Sequence, residues 1–397
     1  MSGPTMFVRP QRIRRGATLT LVFGAVLATG AATGAFSQAE PHPIPRHSAP
    51  ASTATAQLGT TDIARAIDDG KVGPRAAAEL VSRSGDRWSS YYTAQEYEGF
   101  QQELDGRYVG VGLWVRRDPD GRIAVSRVQP ASPAERAGLR VGDRLRSIDS
   151  RAVTGSAVTE VVARLRGVDP GDPHDAPAPR PGSTVRLGLE RGQDDWTVTL
   201  RRVELTTDPV TVTHPWPSVT GIGIDSFTHG VADQVRAALA HADHRRGVLL
   251  DLRGNSGGLV TEAVDVASQF LDGGLVATYD VHGEQHPLYA SGTGDTTTPL
   301  VVLVDGGTMS AAELLTGALQ DRGRAVVVGC RTFGKGSVQM PSTLPDGSVA
   351  ELTVGHYRTP TGRAVDGQGI TPDLTVSGRQ SAQAEARTVF SGLGTTS

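Results

Sequence analysis

Residues 299–339 read PLVVLVDGGTMSAAELLTGALQDRGRAVVVGCRTFGKGSVQ. The apolar run at 300–304, set between Pro299 and Asp305-Gly306-Gly307, predicts a strand buried on both faces. From Ala311 the apolar residues recur at helical spacing to Leu319, and the β-branched run at 325–328 predicts the next strand. Strand, glycine-rich turn, helix and strand make the repeating unit of a parallel α/β layer. Ser310 stands at the strand-to-helix turn, where a hydroxyl is accessible and unpaired helix-start amides can meet an oxyanion. Lys335 follows the next strand. In a parallel layer successive strand ends return to one edge of the sheet, so the two residues can converge there.

The lysine stands out for a second reason. Of 39 basic residues only two are lysine, Lys71 and Lys335. Arginine stays charged near neutral pH, whereas a desolvated lysine can give up its proton, so a lysine kept in an arginine-biased chain suits work that needs a neutral amine. Lys71 lies in a polar stretch and reads as a solvated surface charge. Lys335 lies between glycines in Thr332-Phe333-Gly334-Lys335-Gly336 and could act as the base that activates a serine. Gln339, four residues on, can orient the amine without adding a charge. Ser310 taken alone reads as a helix N-cap; the scarce lysine turns the reading toward a nucleophile. Glu313 and Asp321 read as capping or solvating the helix, Cys330 as a small core residue, and His356 as structural.

The same alternation extends upstream. Strands are expected at 221–227 and 247–252, with helices at 231–240 and 261–271. Asp251-Leu252-Arg253-Gly254-Asn255-Ser256-Gly257-Gly258 contains GNSGG, a string also found around the nucleophile of trypsin-like proteases. That keeps Ser256 open as an alternative nucleophile, but such enzymes use an antiparallel β framework with upstream histidine and aspartate. Here the preceding strand is of the buried, parallel type.

Residues 108–202 have another texture: short strands at 109–115, 123–128 and 185–189, with helices near 133–137 and 157–165. The string VQPASPAERAGLRVGDRLRSID resembles the PDZ domain, which adds a bound peptide to a sheet edge and meets its C-terminal carboxylate with loop amides. The loop would be Tyr108 to Leu113, with Val111, Gly112 and Leu113 contacting the substrate tail. Its glycines allow consecutive amides to converge on one anion. Residues 167–183 insert a Pro-rich segment, read as a surface loop that exposes His174.

Toward the N-terminus, residues 62–105 show helical periodicity and hold the aromatic cluster Arg87-Trp88-Ser89-Ser90-Tyr91-Tyr92-Thr93, read as packing against a neighbouring domain. Residues 40–61 are rich in Pro, Ala, Ser and Thr and read as a linker. Residues 1–39 carry arginines before an uncharged run and a small-x-small site, the pattern of a secretory signal peptide or a retained membrane anchor. Either places the rest outside the cytoplasm.

Bulk composition agrees with a folded, loop-rich, multi-domain protein. A chain of 397 residues fits two or three domains, and a net charge of −3 leaves no basic field for nucleic acid. One cysteine excludes an internal disulfide framework and lacks zinc-site spacing, so neither a structural metal nor a cofactor is expected.

The segment from Asp251 to Gln339 resembles the carboxyl-terminal processing peptidases, or tail-specific proteases, whose motifs read DLRxNxGG, SASE and FGKGxVQ. The likeness runs from the Tyr91-Tyr92 region to GQGITPDLTV at 367–376. It departs in having Ala312 for a serine and Met309 before Ser310, neither of which removes a catalytic atom. The resemblance implies a metal-free serine endopeptidase with Ser310 as nucleophile, Lys335 as general base, Gln339 as its orienting partner, and the amides of Gly258 and Ala311 as the oxyanion hole. It implies an α/β plus β chain: a crotonase-related protease core at 204–378, an inserted PDZ domain at 106–203, the N-terminal helical region at 62–105 and a C-terminal tail at 379–397. Partners would be protein or peptide substrates with a free C-terminus, and the membrane if 1–39 is retained. A catalytically silent PDZ scaffold and a Ser256 hydrolase remain the alternatives.

Overall fold

The computed structural model describes residues 20–21 and 59–393, apart from 119, 157, 168–179, 242, 244, 282–283 and 377–378. The export or anchor segment 1–39, except Thr20–Leu21, most of the linker, and most of the 167–183 insertion with His174 lie outside the described residues. Among those described, no helix is long and apolar enough to cross a membrane.

The strand predicted from the opening stretch, Leu300–Val304, is at the middle of a six-stranded sheet. Its order is Val210–Trp216, Val219–Ile224, Gly247–Asp251, Leu300–Val304, Val326–Gly329 and Leu374–Thr375. All neighbours run parallel except the first pair. Alternation of side chains assigns each residue to a face. Leu300, Val302 and Val304 join one core with the helices Val231–His241, Val260–Ala267 and Ala311–Asp321. Val301 and Leu303 point into the other, covered by the helix Arg379–Leu393 through Ala382, Ala386 and Phe390. Each fully buried aliphatic side chain contributes about 1.5–3 kcal/mol, which is why a strand this apolar is central. The stretch expected as a C-terminal tail is therefore corrected: it closes the second face of the sheet.

A second, five-stranded sheet carries the hairpin Ser337–Thr343 and Val349–Arg358, with Ser90–Tyr92 added to its edge. The helices Thr60–Asp68 and Pro74–Arg83 bury Ile63, Ile67, Ala77 and Val81 against Leu344, Ala350 and Leu352 of this hairpin. The first of these helices starts at Thr60, inside the stretch read as linker.

The third sheet runs Leu113–Arg117, Ile123–Val128, Arg144–Ile148, Thr184–Arg191 and Asp194–Arg201, and its core is closed by the helix Val158–Arg166. The single strand expected at 109–115 is two strands, Arg107–Gly110 and Leu113–Arg117, because Gly112 turns at φ +80°. The first of them pairs antiparallel with Val203–Thr206, so the chain enters and leaves this domain along one two-stranded neck.

Candidate active site

Ser310 lies between the strand Leu300–Val304 and the helix Ala311–Asp321, with φ +58° and ψ −120°. A non-glycine residue in such a conformation costs on the order of 1–3 kcal/mol and persists only when its surroundings fix it. Here they do. The Tyr357 hydroxyl donates to the Ser310 carbonyl at 3.0 Å, and Met309 N–H donates to the Asn255 carbonyl at 2.9 Å. Gly257 lies so close that an added Cβ would stand 2.8 Å from Ser310 Cβ. The helix-capping reading is half fulfilled: Ser310 N–H donates to Glu313 Oε2 at 2.9 Å, but the Ser310 hydroxyl is buried with no hydrogen-bond partner among the described residues. No hydrogen bond joins it to the Lys335 amine in this structure.

Glu313 is the hub that sequence reading underestimated. It is fully buried, and its carboxylate also accepts from Thr332 Oγ1, from Gly334 N–H at 2.7 Å and from Lys335 N–H at 2.8 Å. The main-chain nitrogens of Ser310 and Lys335 therefore bond to one and the same oxygen, Glu313 Oε2. Burial raises the Glu313 carboxyl while these donors pull it back. The lysine loop is clamped from its other side by the 367–370 turn, where Ile370 N–H donates to Thr332 Oγ1 at 2.6 Å and Gly367 N–H to the Gly334 carbonyl at 2.9 Å.

The Lys335 side chain is fully buried, and burial brings its amine from 10.5 down to about 7, against the pull of Glu351, Asp86 and Glu313. Glu351, on the strand Val349–Arg358, is buried with both carboxylate oxygens unpartnered among the described residues. Burial raises it to about 8, with the Lys335 charge opposing. Gln339 donates through Nε2 to Ser337 Oγ and Thr353 Oγ1, both at 3.0 Å, which leaves its buried Oε1 without a partner. Lys71, by contrast, is exposed and pairs with Asp69.

The Asp251–Gly258 loop follows the strand Gly247–Asp251 and abuts the serine turn. Asn255 shapes it, donating to the Ile224 carbonyl and accepting from Gly257 N–H, each at 2.8 Å. Thr308 Oγ1 donates to the Leu252 carbonyl at 2.9 Å, and Asp305 accepts from Gly254 N–H at 2.8 Å. Gly258, at φ +130°, packs on the Phe227 carbonyl, where any Cβ would collide at 2.3 Å. Gly257 is thus the residue of this loop that lies against Ser310, with Gly258 next to it in sequence and Ala311 opening the helix on the other side. Ser256 lines a cavity beside them, but the sheet beneath it is parallel, which removes the antiparallel framework that its reading as nucleophile required. His229 lies 3.9 Å from both Asp105 and Glu262, and His214 is in the edge strand.

That cavity, of about 200 Å³, connects the two domains. Val111, Gly112 and Leu113 line one end, with Val162 and Leu165 of the facing helix; Ser256, Gly257 and Gly258 line the other. Gly112 is obligatory here, since a Cβ would lie 2.2 Å from that of Ser132.

Two further readings are adjusted. Cys330 is exposed and not a core residue. Asp321 does not solvate its helix: it accepts from Thr361 and Arg363 and pins that turn. Phe333, near the lysine in sequence, is 44% exposed and meets Trp88 edge-on.

Residues 218–376 match peptidase family S41, and residues 124–173 match the PDZ domain. The chain is similar to a probable CtpA-like serine protease of Staphylococcus aureus (strain N315), 30% identical over 322 residues, 80% of this chain and 62% of that one. It is also similar to the chloroplastic carboxyl-terminal-processing peptidase 3 of Arabidopsis thaliana, 34% identical over 315 residues, 74% of this chain and 58% of that one. The chain thus spans about three fifths of the length of these curated relatives. Among solved structures, the photosystem II D1 C-terminal processing protease superposes with a TM-score of 0.51 at 26% identity, over 82% of this chain and 94% of that one. Residues 218–376 thus match an S41 peptidase domain with a PDZ match ahead of it, and most of the chain is similar to CtpA-like and carboxyl-terminal-processing proteases.

Proposed function

We propose that this chain is a serine endopeptidase that works through Ser310 and Lys335 and takes its substrates by their C-terminal tails. One observation carries the reading: a fully buried lysine, driven toward neutrality by that burial, shares the carboxylate oxygen of Glu313 with the strained serine. Neutral Lys335 accepts the Ser310 proton as the oxygen adds to the scissile carbonyl. The amides of Gly258 and Ala311 face the oxyanion. The lysine ammonium then protonates the departing amine, the C–N bond breaks, and water attacks the acyl-enzyme with Lys335 again taking the proton. The unpaired Gln339 Oε1 supplies an acceptor to orient the amine. The Val111–Gly112–Leu113 loop binds the tail carboxylate, and the shared cavity leads the peptide toward Ser310. The same reading takes the core as crotonase-related and residues 1–39 as directing the chain outside the cytoplasm, with membrane attachment if that segment is retained.

A silent PDZ scaffold draws support from the unmade Ser310–Lys335 hydrogen bond. One experiment decides between them. Peptides with apolar and with charged C-termini are incubated with wild type, Ser310→Ala and Lys335→Arg, and the residue modified by a serine-directed probe is mapped. Turnover by wild type alone, with Ser310 labelled, is expected. Cleavage by Ser310→Ala overturns the proposal, and tail binding without turnover by wild type establishes the scaffold.

A further inference from the structure

The aromatic cluster at 87–93 is read from the sequence as packing against a neighbouring domain, yet one member reaches the lysine. The Trp88 ring centroid lies 4.7 Å from Lys335 Nζ. The ring is held in place from several sides. Trp88 N–H donates to Asp86 Oδ1 at 3.2 Å, and Ser89 Oγ, next in sequence, accepts from Thr353 N–H at 3.0 Å. The strand Ser90–Tyr92 continues directly into the sheet, with Ser90 opposite Glu351. Phe333 meets the indole edge-on at 6.0 Å, and the Arg87 guanidinium lies 4.5 Å from the same ring.

A lysine base has two demands that conflict. It must be neutral before proton transfer, and the cation it becomes must be stabilised in a dry site. A carboxylate in contact would hold the proton from the outset. An aromatic face attracts the cation through its quadrupole and excludes water, while offering no strong acceptor that locks the proton on. We propose that Trp88 is a positioning residue whose indole face seats the Lys335 amine and stabilises it selectively in the cationic form. The charged groups facing the amine are Glu351 from the adjoining strand, Glu313 from the serine helix, and Asp86 and Arg87 from the turn of Trp88 itself. Only the last of these opposes the cation. The inference rests on the reading of Lys335 as the base, but its test does not depend on turnover.

Because the chain holds two lysines, protein labelled with 13C in lysine side chains gives two signals, with exposed Lys71 as internal reference. The Lys335 signal is followed against pH in full-length wild type, Trp88→Leu, Trp88→Phe and Trp88→Ala. Leucine keeps the cover and loses the quadrupole, so the midpoint falls by about 0.4 to 1.5 pH units. Phenylalanine, a weaker π-face, produces a smaller fall. Alanine admits water, and the midpoint rises. This opposition of sign is what a purely packing role would not produce. A midpoint in Trp88→Leu equal to or above wild type overturns the inference; if that variant does not fold, Trp88→Phe is read by the same criterion. Peptide cleavage by Lys335→Ala would overturn the base assignment instead, whatever the titrations give.

Discussion

Replacing Lys335 with methionine keeps an unbranched chain and removes the amine, and it should yield a protein that is inactive yet more stable. The native amine is depressed from 10.5 to about 7, chiefly by burial. Between those values the unfolded chain binds more protons than the native one, so stability rises with pH across that window and is lowest below it. At about 1.4 kcal/mol per pH unit, the burden is about 4 kcal/mol at pH 7 and about 2 kcal/mol at pH 9. Methionine carries none of it. Glu351 acts in the same direction: without the lysine charge its buried carboxyl ionises at still higher pH, which erodes the variant's advantage in alkali. Urea unfolding of both proteins at pH 7 and pH 9, followed by a probe in the core domain, measures the difference. Lys335→Met should be more stable by about 2–4 kcal/mol at pH 7, allowing for imperfect packing, and by half that or less at pH 9. A variant less stable than wild type at pH 7, or an advantage that widens toward pH 9, refutes the claim that burial makes this lysine a base.

Glu313→Gln leaves the shape and replaces one of two accepting oxygens by an N–H₂ that faces N–H donors. It should lower kcat at least tenfold and unfolding stability by about 2–4 kcal/mol, read by steady-state kinetics and denaturant titration; near-wild-type kcat would mean that Glu313 does not hold the serine and lysine segments together. Gly112→Ala, which forces a Cβ against Ser132, should weaken binding of a C-terminal peptide by calorimetry while sparing cleavage of a tail-less substrate; unchanged peptide affinity would take the loop out of recognition.

The parts of the site legible in the sequence are those set by local pattern. Ser310 was singled out because an apolar strand, a glycine turn and a helical period mark the strand-to-helix turn it occupies, although the fold buries the hydroxyl expected to be accessible there, and Lys335 because lysine is rare in this chain. The core sheet was legible for the same reason, its strands being apolar on both faces. What was missed depends on pairing between distant segments. Glu313 follows Ser310 by one helical turn, a spacing that reads as a cap; only the fold brings the 332–335 loop onto its carboxylate. Trp88 and Glu351 meet around Lys335 through the register of Ser90–Tyr92 on Val349–Arg358, which no local periodicity encodes. The final helix had a signal that went unused: Ala382, Ala386 and Phe390 recur every fourth residue and all point at the sheet.

The neck formed by Arg107–Gly110 and Val203–Thr206 has a consequence for how such a chain can be edited. At its base Thr207 N–H donates to the Gly106 carbonyl at 2.7 Å, so the two cut ends of the PDZ domain already touch. Excising everything between them and bridging with a tight turn asks the remaining core to move almost nothing. Evolution, or an engineer, can thus exchange the PDZ domain by a single replacement of coding sequence and leave the strand order of the core sheet as it is.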